Sequence, residues 1–217
     1  MKKSSSAGFT LIELLVVISI IGILAVALLP NVIGATTSAQ KAADRANLTW
    51  HFQQLTETKR RIVGGNARWL KDGGHRFVLT PWIHNVVDKT PENRDRYFQP
   101  GQEDDPAWQE LKDFDAREIW RSEDELTSGD THYAGRSAEK YRGMWRSGNE
   151  PLMANDNEGI RAYEDGTIHV LMASGSVREL TPAGGLKEYW EGDDDDDAYI
   201  FPVGPNSPHP DLSKLEK

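Results

Sequence analysis

Residues 7–30 read AGFTLIELLVVISIIGILAVALLP. From Phe9 to Leu29 this stretch holds 21 residues with one charge, Glu13, and one helix-weakening residue, Gly22. Coiled as an α-helix at about 1.5 Å per residue, it covers about 30 Å, the hydrocarbon thickness of a bilayer. The pattern predicts a single membrane-spanning helix. Lys2 and Lys3 mark its cytoplasmic side and the body of the chain falls on the other. A cleaved secretory signal is the competing reading, since it also has a basic start and an apolar core, and Ala25-Val26-Ala27 offers a small-x-small cleavage site. Glu13 weighs against it. An acidic residue at the centre of a membrane helix costs about 2.5 to 3.5 kcal/mol, and a disposable segment gains nothing from carrying one.

The remainder is polar. A chain of 217 residues accommodates one globular domain and an extension. Lys plus Arg number 25 against 34 for Asp plus Glu, a net charge of −9, with the acidic surplus mostly after residue 90. That balance excludes nucleic acid as an expected partner, because phosphate binding needs a basic surface. There are no cysteines, hence no disulfide framework and no thiolate metal site.

Past Pro30 the all-round apolar pattern narrows to one face. Leu48, Phe52, Leu55 and Ile62 recur at spacings of 4, 3 and 7, below Ala35, Ala39, Ala42, Ala43 and Ala46, with Lys41, Asp44, Arg45, Lys59 and Arg60 between them. This predicts an amphipathic continuation of the helix over 31–63, stopped by Gly64-Gly65. Pro30 at the junction is read as a kink, a hinge that melts on packing being the alternative.

The head, 64–217, is expected to be α+β. Residues 64–105 are rich in Gly, Pro, Asp, Asn and Arg, with short apolar pieces such as Arg76-Phe77-Val78-Leu79 and Trp82-Ile83, and read as a long loop region with local structure. Asp105-Pro106 is a helix start, with Trp108, Leu111, Phe114 and Ile119 expected to pack inward. GTIHVLMASGSVREL, residues 166–180, alternates Ile168, Val170 and Met172 with Thr167, His169 and Leu171, then turns at Ser174-Gly175. It predicts a β-hairpin laid on the amphipathic half of the long helix.

Gly8-Phe9-Thr10-Leu11-Ile12-Glu13, after a short basic leader and before a continuous apolar helix, resembles the class III signal of type IV pilins and type II secretion pseudopilins. The resemblance implies a leader of residues 1–8, cleavage between Gly8 and Phe9 by a prepilin peptidase, and methylation of the Phe9 amine. It implies an assembly helix at 9–30 and the fold already read, a long helix packed on a small antiparallel sheet. It also implies a single-pass inner-membrane subunit with a periplasmic head, extracellular if it enters a surface filament. Its partners would be other pilin-like subunits, an inner-membrane assembly platform and the lipid bilayer. Glu13 then gains a role. In a staggered bundle its carboxylate meets the Phe9 ammonium of a neighbour, and two costly charges become one hydrogen-bonded pair that sets register.

The head resembles, more weakly, a pilin-like subgroup whose C-terminal hairpin has His, nine residues, then Asp-Gly. HVLMASGSVREL matches the strand from His169, and THYAGR (131–136) and VGPNSPHPDL (203–212) match further pieces. Ser174 stands where the Asp would be and Glu164 where the His would be, so chemistry tied to that pair is not expected here.

Asp193 to Asp197 are five consecutive carboxylates, a candidate Ca²⁺ loop with Asp193, Asp195 and Asp197 as ligands. Several major pseudopilins of the family that the N-terminus resembles hold calcium in a loop near the end of the head; a solvated acidic loop is the other reading. The six histidines, at 51, 75, 84, 132, 169 and 209, form no i, i+3 or i, i+4 pair, and no nucleotide or hydrolase fingerprint is present. A non-enzymatic role is expected. Trp50 and Trp108 fit core packing, whereas Trp69, Trp82, Trp120, Trp145 and Trp190 fall in irregular segments where core anchoring competes with an exposed binding surface. The function expected is therefore a structural subunit of a type II secretion pseudopilus. A type IV pilus subunit and a membrane-tethered binding module using Trp-rich loops are the alternatives.

Overall fold

A computed structural model of the chain describes residues 9–62, 72–102, 104–141, 145, 148–155, 163, 165–189 and 202–217. It divides into two compact units, one ending at Gln40 and the other spanning Lys41–Lys217, and the division falls within a single helix, α1 (Leu11–Ile62). In the first unit the large apolar side chains are exposed, from Leu11 through Ile33. Among the described residues α1 is the one helix long and apolar enough to cross a membrane. It runs through Pro30 without a break.

The second unit is α+β. Three short helices, α2 (Gly74–Ile83), α3 (Pro91–Asp95) and α4 (Pro106–Leu111), precede a sheet of β1 (Tyr133–Arg136), β2 (Pro151–Asn155), β3 (Ile168–Met172), β4 (Val177–Leu180) and β5 (Leu215–Glu216). The strand order is β4-β3-β2-β1-β5 with every pairing antiparallel. The expected hairpin is present as β3–β4, with Ile168 opposite Leu180 and Leu171 opposite Val177. Its turn needs Gly175. The φ of +87° there favours glycine, and a Cβ would stand 2.7 Å from the Phe52 ring of α1, so the turn docks directly on the helix.

The β3 strand of this hairpin is enclosed on both faces, all five of its residues being buried. Leu171, with Met153, joins Leu48 and Leu55 of α1 and Phe77 and Trp82 of α2. Ile168, Val170 and Met172 enter a second core with Ala154, Leu186 and Leu212. The C-terminal segment covers the face that a half-buried strand would leave to water. Each such large aliphatic side chain contributes about 1.5 to 3 kcal/mol on burial.

The region 64–105, expected to be a long loop with local structure, carries more helix than that reading gives it. Within it lie α2 and α3, and in α2 Phe77, Val78, Leu79 and Trp82 are all fully buried. A helix enclosed on several sides has no polar face, so the 3.6-residue signal that reveals surface helices is missing. Asn85, in the left-handed region at φ 52°, closes α2. The Asp105-Pro106 start holds: the Asp105 carboxylate accepts from the backbone of Ala107 at 2.8 Å and of Trp108 at 3.3 Å. Phe114 does not pack inward and is 54% exposed, since α4 ends at Leu111. Trp82, Trp120 and Trp145 are buried, which removes them from any exposed aromatic surface, while Trp50 and Trp108 are partly buried against the same core. Trp69 and Trp190 lie outside the described residues.

Candidate functional site

The start of α1 explains how a carboxylate is tolerated there. Thr10-Leu11-Ile12-Glu13 has the S/T-x-x-E spacing of a capping box. The Glu13 Oε2 accepts from the Thr10 backbone N–H at 2.8 Å and from its hydroxyl at 2.6 Å, and the Thr10 Oγ1 in turn accepts from the Glu13 N–H at 3.3 Å. These bonds satisfy backbone donors that a helix start leaves unpaired. Among the described residues both bonds to the carboxylate fall on Oε2, which leaves Oε1 for another donor. Phe9, four residues before Glu13, is 73% exposed. Gly8 lies outside the described residues. Further along, the Ser19 hydroxyl donates to the Leu15 carbonyl at 2.7 Å, the usual way for a hydroxyl to be accommodated in an apolar helix.

In the second unit the face that α1 buries differs from the one its apolar residues suggest. Asp44, Leu48, His51, Leu55 and Thr58, spaced 4, 3, 4 and 3, are each fully buried. Three of these five are polar. Asp44, read from sequence as a solvated residue, is the centre of a buried network. Its Oδ1 accepts from the Tyr133 hydroxyl of β1 at 2.6 Å, and its Oδ2 pairs with the His169 Nδ1 of β3 at 2.6 Å. The His169 backbone N–H donates to the Asn155 Oδ1 of β2 at 2.6 Å. The Asp44 carboxylate thus pins the helix to two strands, and His169 extends the network to the third. Burial together with the Asp44 charge raises the Tyr133 hydroxyl well above its ordinary pKa, so it remains a donor. Nearby, Lys41 binds Asp165 and donates to the Thr167 hydroxyl at 2.7 Å. The signal for Asp44 was present in the 44-48-51-55-58 spacing, but a stripe scored by apolar residues alone passes over it.

Asp44, Tyr133 and His169 form an Asp–His–Tyr network enclosed in the head. Asp44 and His169 are both wholly buried, and the His169 Nε2 lies 4.0 Å from the Glu179 carboxylate. Among the described residues no group of three or more His, Asp or Glu side chains is placed to hold a metal ion. The carboxylates of Asp193, Asp195 and Asp197, proposed for calcium, and Glu164 of the hairpin motif lie outside the described residues. Ser174, in place of the motif's Asp, pairs with the Ser176 hydroxyl at 2.8 Å within the turn.

His51 makes stability depend on pH. Its Nε2–H donates to the Arg96 carbonyl at 2.9 Å, and burial pushes its pKa down from 6.5 to about 4. A base with a folded-state pKa below its unfolded one binds more protons when unfolded. Its stabilisation is therefore complete above pH 6.5 and is lost as pH falls towards 4. The loss amounts to roughly 3 kcal/mol. Urea midpoints are expected to drop between pH 7 and 4.5, with a shallower drop in His51→Gln; equal slopes in the two proteins would remove His51 as the cause.

A family model for the prokaryotic N-terminal methylation motif matches residues 3–29. The chain therefore carries the class III prepilin signal of type IV pilins and pseudopilins, and Gly8, Phe9 and Glu13 all lie inside the matched span. That signal implies processing by a prepilin peptidase and assembly with other pilin-like subunits. No curated protein and no solved structure matches the chain.

Proposed function

We propose that this chain is a non-enzymatic, structural subunit of a type II secretion pseudopilus, held in the inner membrane by the apolar part of α1 with its head in the periplasm. The methylation motif at residues 3–29 carries the pilin-like part of the reading. Cleavage between Gly8 and Phe9 exposes the Phe9 amine for methylation. In the assembled state the free Oε1 of Glu13 receives the Phe9 ammonium of a neighbouring subunit, while Oε2 keeps its bonds to Thr10. Two buried charges then form one charge-assisted pair, and the pair fixes the stagger between helices. The absence of cysteine favours a pseudopilus over a surface pilus, because no C-terminal disulfide loop is available to brace the head. The aspartate run at 193–197 supplies carboxylate oxygens for a Ca²⁺ ion in the head.

Deleting the gene is expected to trap secreted proteins in the periplasm, and fluid sheared from wild-type cells is expected to contain no long filaments of this chain. Long sheared filaments together with unaltered secretion would replace the pseudopilus by a surface pilus.

A further inference from the structure

An open groove of about 470 Å³ lies in the Lys41–Lys217 unit, between α1, the segment following α3, and α4. Trp108 and Phe98 supply its aromatic surface, and Asn47, Asp95, Arg96 and Gln99 line it with planar polar groups. Its volume is that of a small-molecule site.

The walls are held by bonds that core packing does not require. Arg94, 4% exposed, donates from Nη1 to the carbonyls of Leu111 and Lys112 at 3.0 and 3.1 Å, and so clamps the end of α4. Its Nε and Nη2 donate to the Asp95 Oδ1 at 2.9 and 2.7 Å, and that same oxygen accepts from the Trp108 indole at 3.3 Å. The indole is thereby fixed in orientation while partly exposed, and the Asp95 Oδ2 is left to accept from a ligand. At the other end of α4, His132 accepts from the Gln99 backbone N–H at 3.1 Å and lies 3.4 Å from the Asp105 cap. This ties the Gln99 wall to the Trp108 wall. Gln99 is only 5% exposed, yet its Nε2 finds no hydrogen-bond partner among the described residues. An unmet buried amide is costly, so the Gln99 side chain gains a bond if it turns towards a ligand oxygen in the groove.

The charges are mixed, Glu92 and Asp95 against Arg96, so the groove does not select an anion such as a phosphate. The interspersed polar groups leave no continuous apolar channel for an acyl chain. A fixed aromatic face beside amides and carboxylate suits a ligand with an apolar C–H face and a rim of hydroxyls. We propose that the groove binds a neutral saccharide of one or two rings.

The test is calorimetric titration of the full-length chain, in a detergent without sugar headgroups, with cellobiose, maltose and N,N′-diacetylchitobiose. At least one is expected to bind with a Kd on the order of 1 mM. Trp108→Ala and Gln99→Leu should each weaken that binding about tenfold, whereas Phe114→Ala, an exposed aromatic away from the groove, should leave it unchanged. Urea midpoints establish that each variant is folded. The proposal fails if all three sugars give no heat with the folded wild type, or if Trp108→Ala binds as well as wild type. It fails equally if Trp108→Ala alters incorporation into filaments while no sugar binds, since the groove would then be a contact between subunits. Failure in any of these ways leaves the pseudopilin reading standing, because that reading rests on the N-terminal motif.

Discussion

Glu13→Val is expected to remain in the membrane fraction and to be lost from assembled filaments. In the proposed assembly, removing Glu13 leaves its partner, the Phe9 ammonium of a neighbouring subunit, without compensation. The cost is about 3 to 5 kcal/mol, or at least two orders of magnitude in subunit affinity. The variant also loses its capping box, worth about 0.5 to 2 kcal/mol, so the two effects need separating. Thr10→Ala removes the threonine hydroxyl from the box and keeps the carboxylate; it is expected to assemble nearly normally. Glu13→Gln retains a carbonyl acceptor for the Thr10 donors without the charge, and is expected to fail. Cross-linking and sedimentation of membranes read all three. Assembly of Glu13→Gln at wild-type levels would overturn the ion-pair role and leave Glu13 as a helix cap alone.

Asp44→Ala has the largest expected effect on the head. It strands the Tyr133 hydroxyl and the His169 ring, both buried and both bonded to Asp44 at 2.6 Å. About 3 to 5 kcal/mol should be lost, a large share of the roughly 5 to 15 kcal/mol that holds a domain folded. Asp44→Asn keeps one acceptor oxygen but turns an N–H₂ towards a donor, and an intermediate loss is expected. Urea unfolding followed by tryptophan fluorescence measures both, with the midpoint shift read at constant m. An unmoved midpoint in Asp44→Ala would show that water enters and replaces the carboxylate.

Elements whose signals are local were legible in the sequence. The β3–β4 hairpin could be read from its alternation and its Ser174-Gly175 turn, α4 from Asp105-Pro106, and the apolar part of α1 from its length alone. What was not legible depends on neighbours distant along the chain. The α2 helix has no polar face because it is enclosed by the core around Tyr97 and Trp120, which touch Trp82 edge-on at centroid distances of 5.8 and 5.3 Å. Its flanking glycines and Pro81 read as loop signals for the same reason: tertiary enclosure, not propensity, makes it helical. Asp44 and His169 are 125 positions apart, and nothing local to either announces the other. At the N-terminus the motif located Glu13, while the threonine three residues before it, equally visible, carried the information about what the carboxylate does in a lone subunit.

That threonine bears on the subunit before assembly. Because the Glu13 carboxylate is bonded within its own chain, part of the penalty for holding a charge in hydrocarbon is met before any neighbour arrives. On the proposed reading, an unassembled subunit is therefore held in the bilayer at a lower cost than a bare carboxylate would impose.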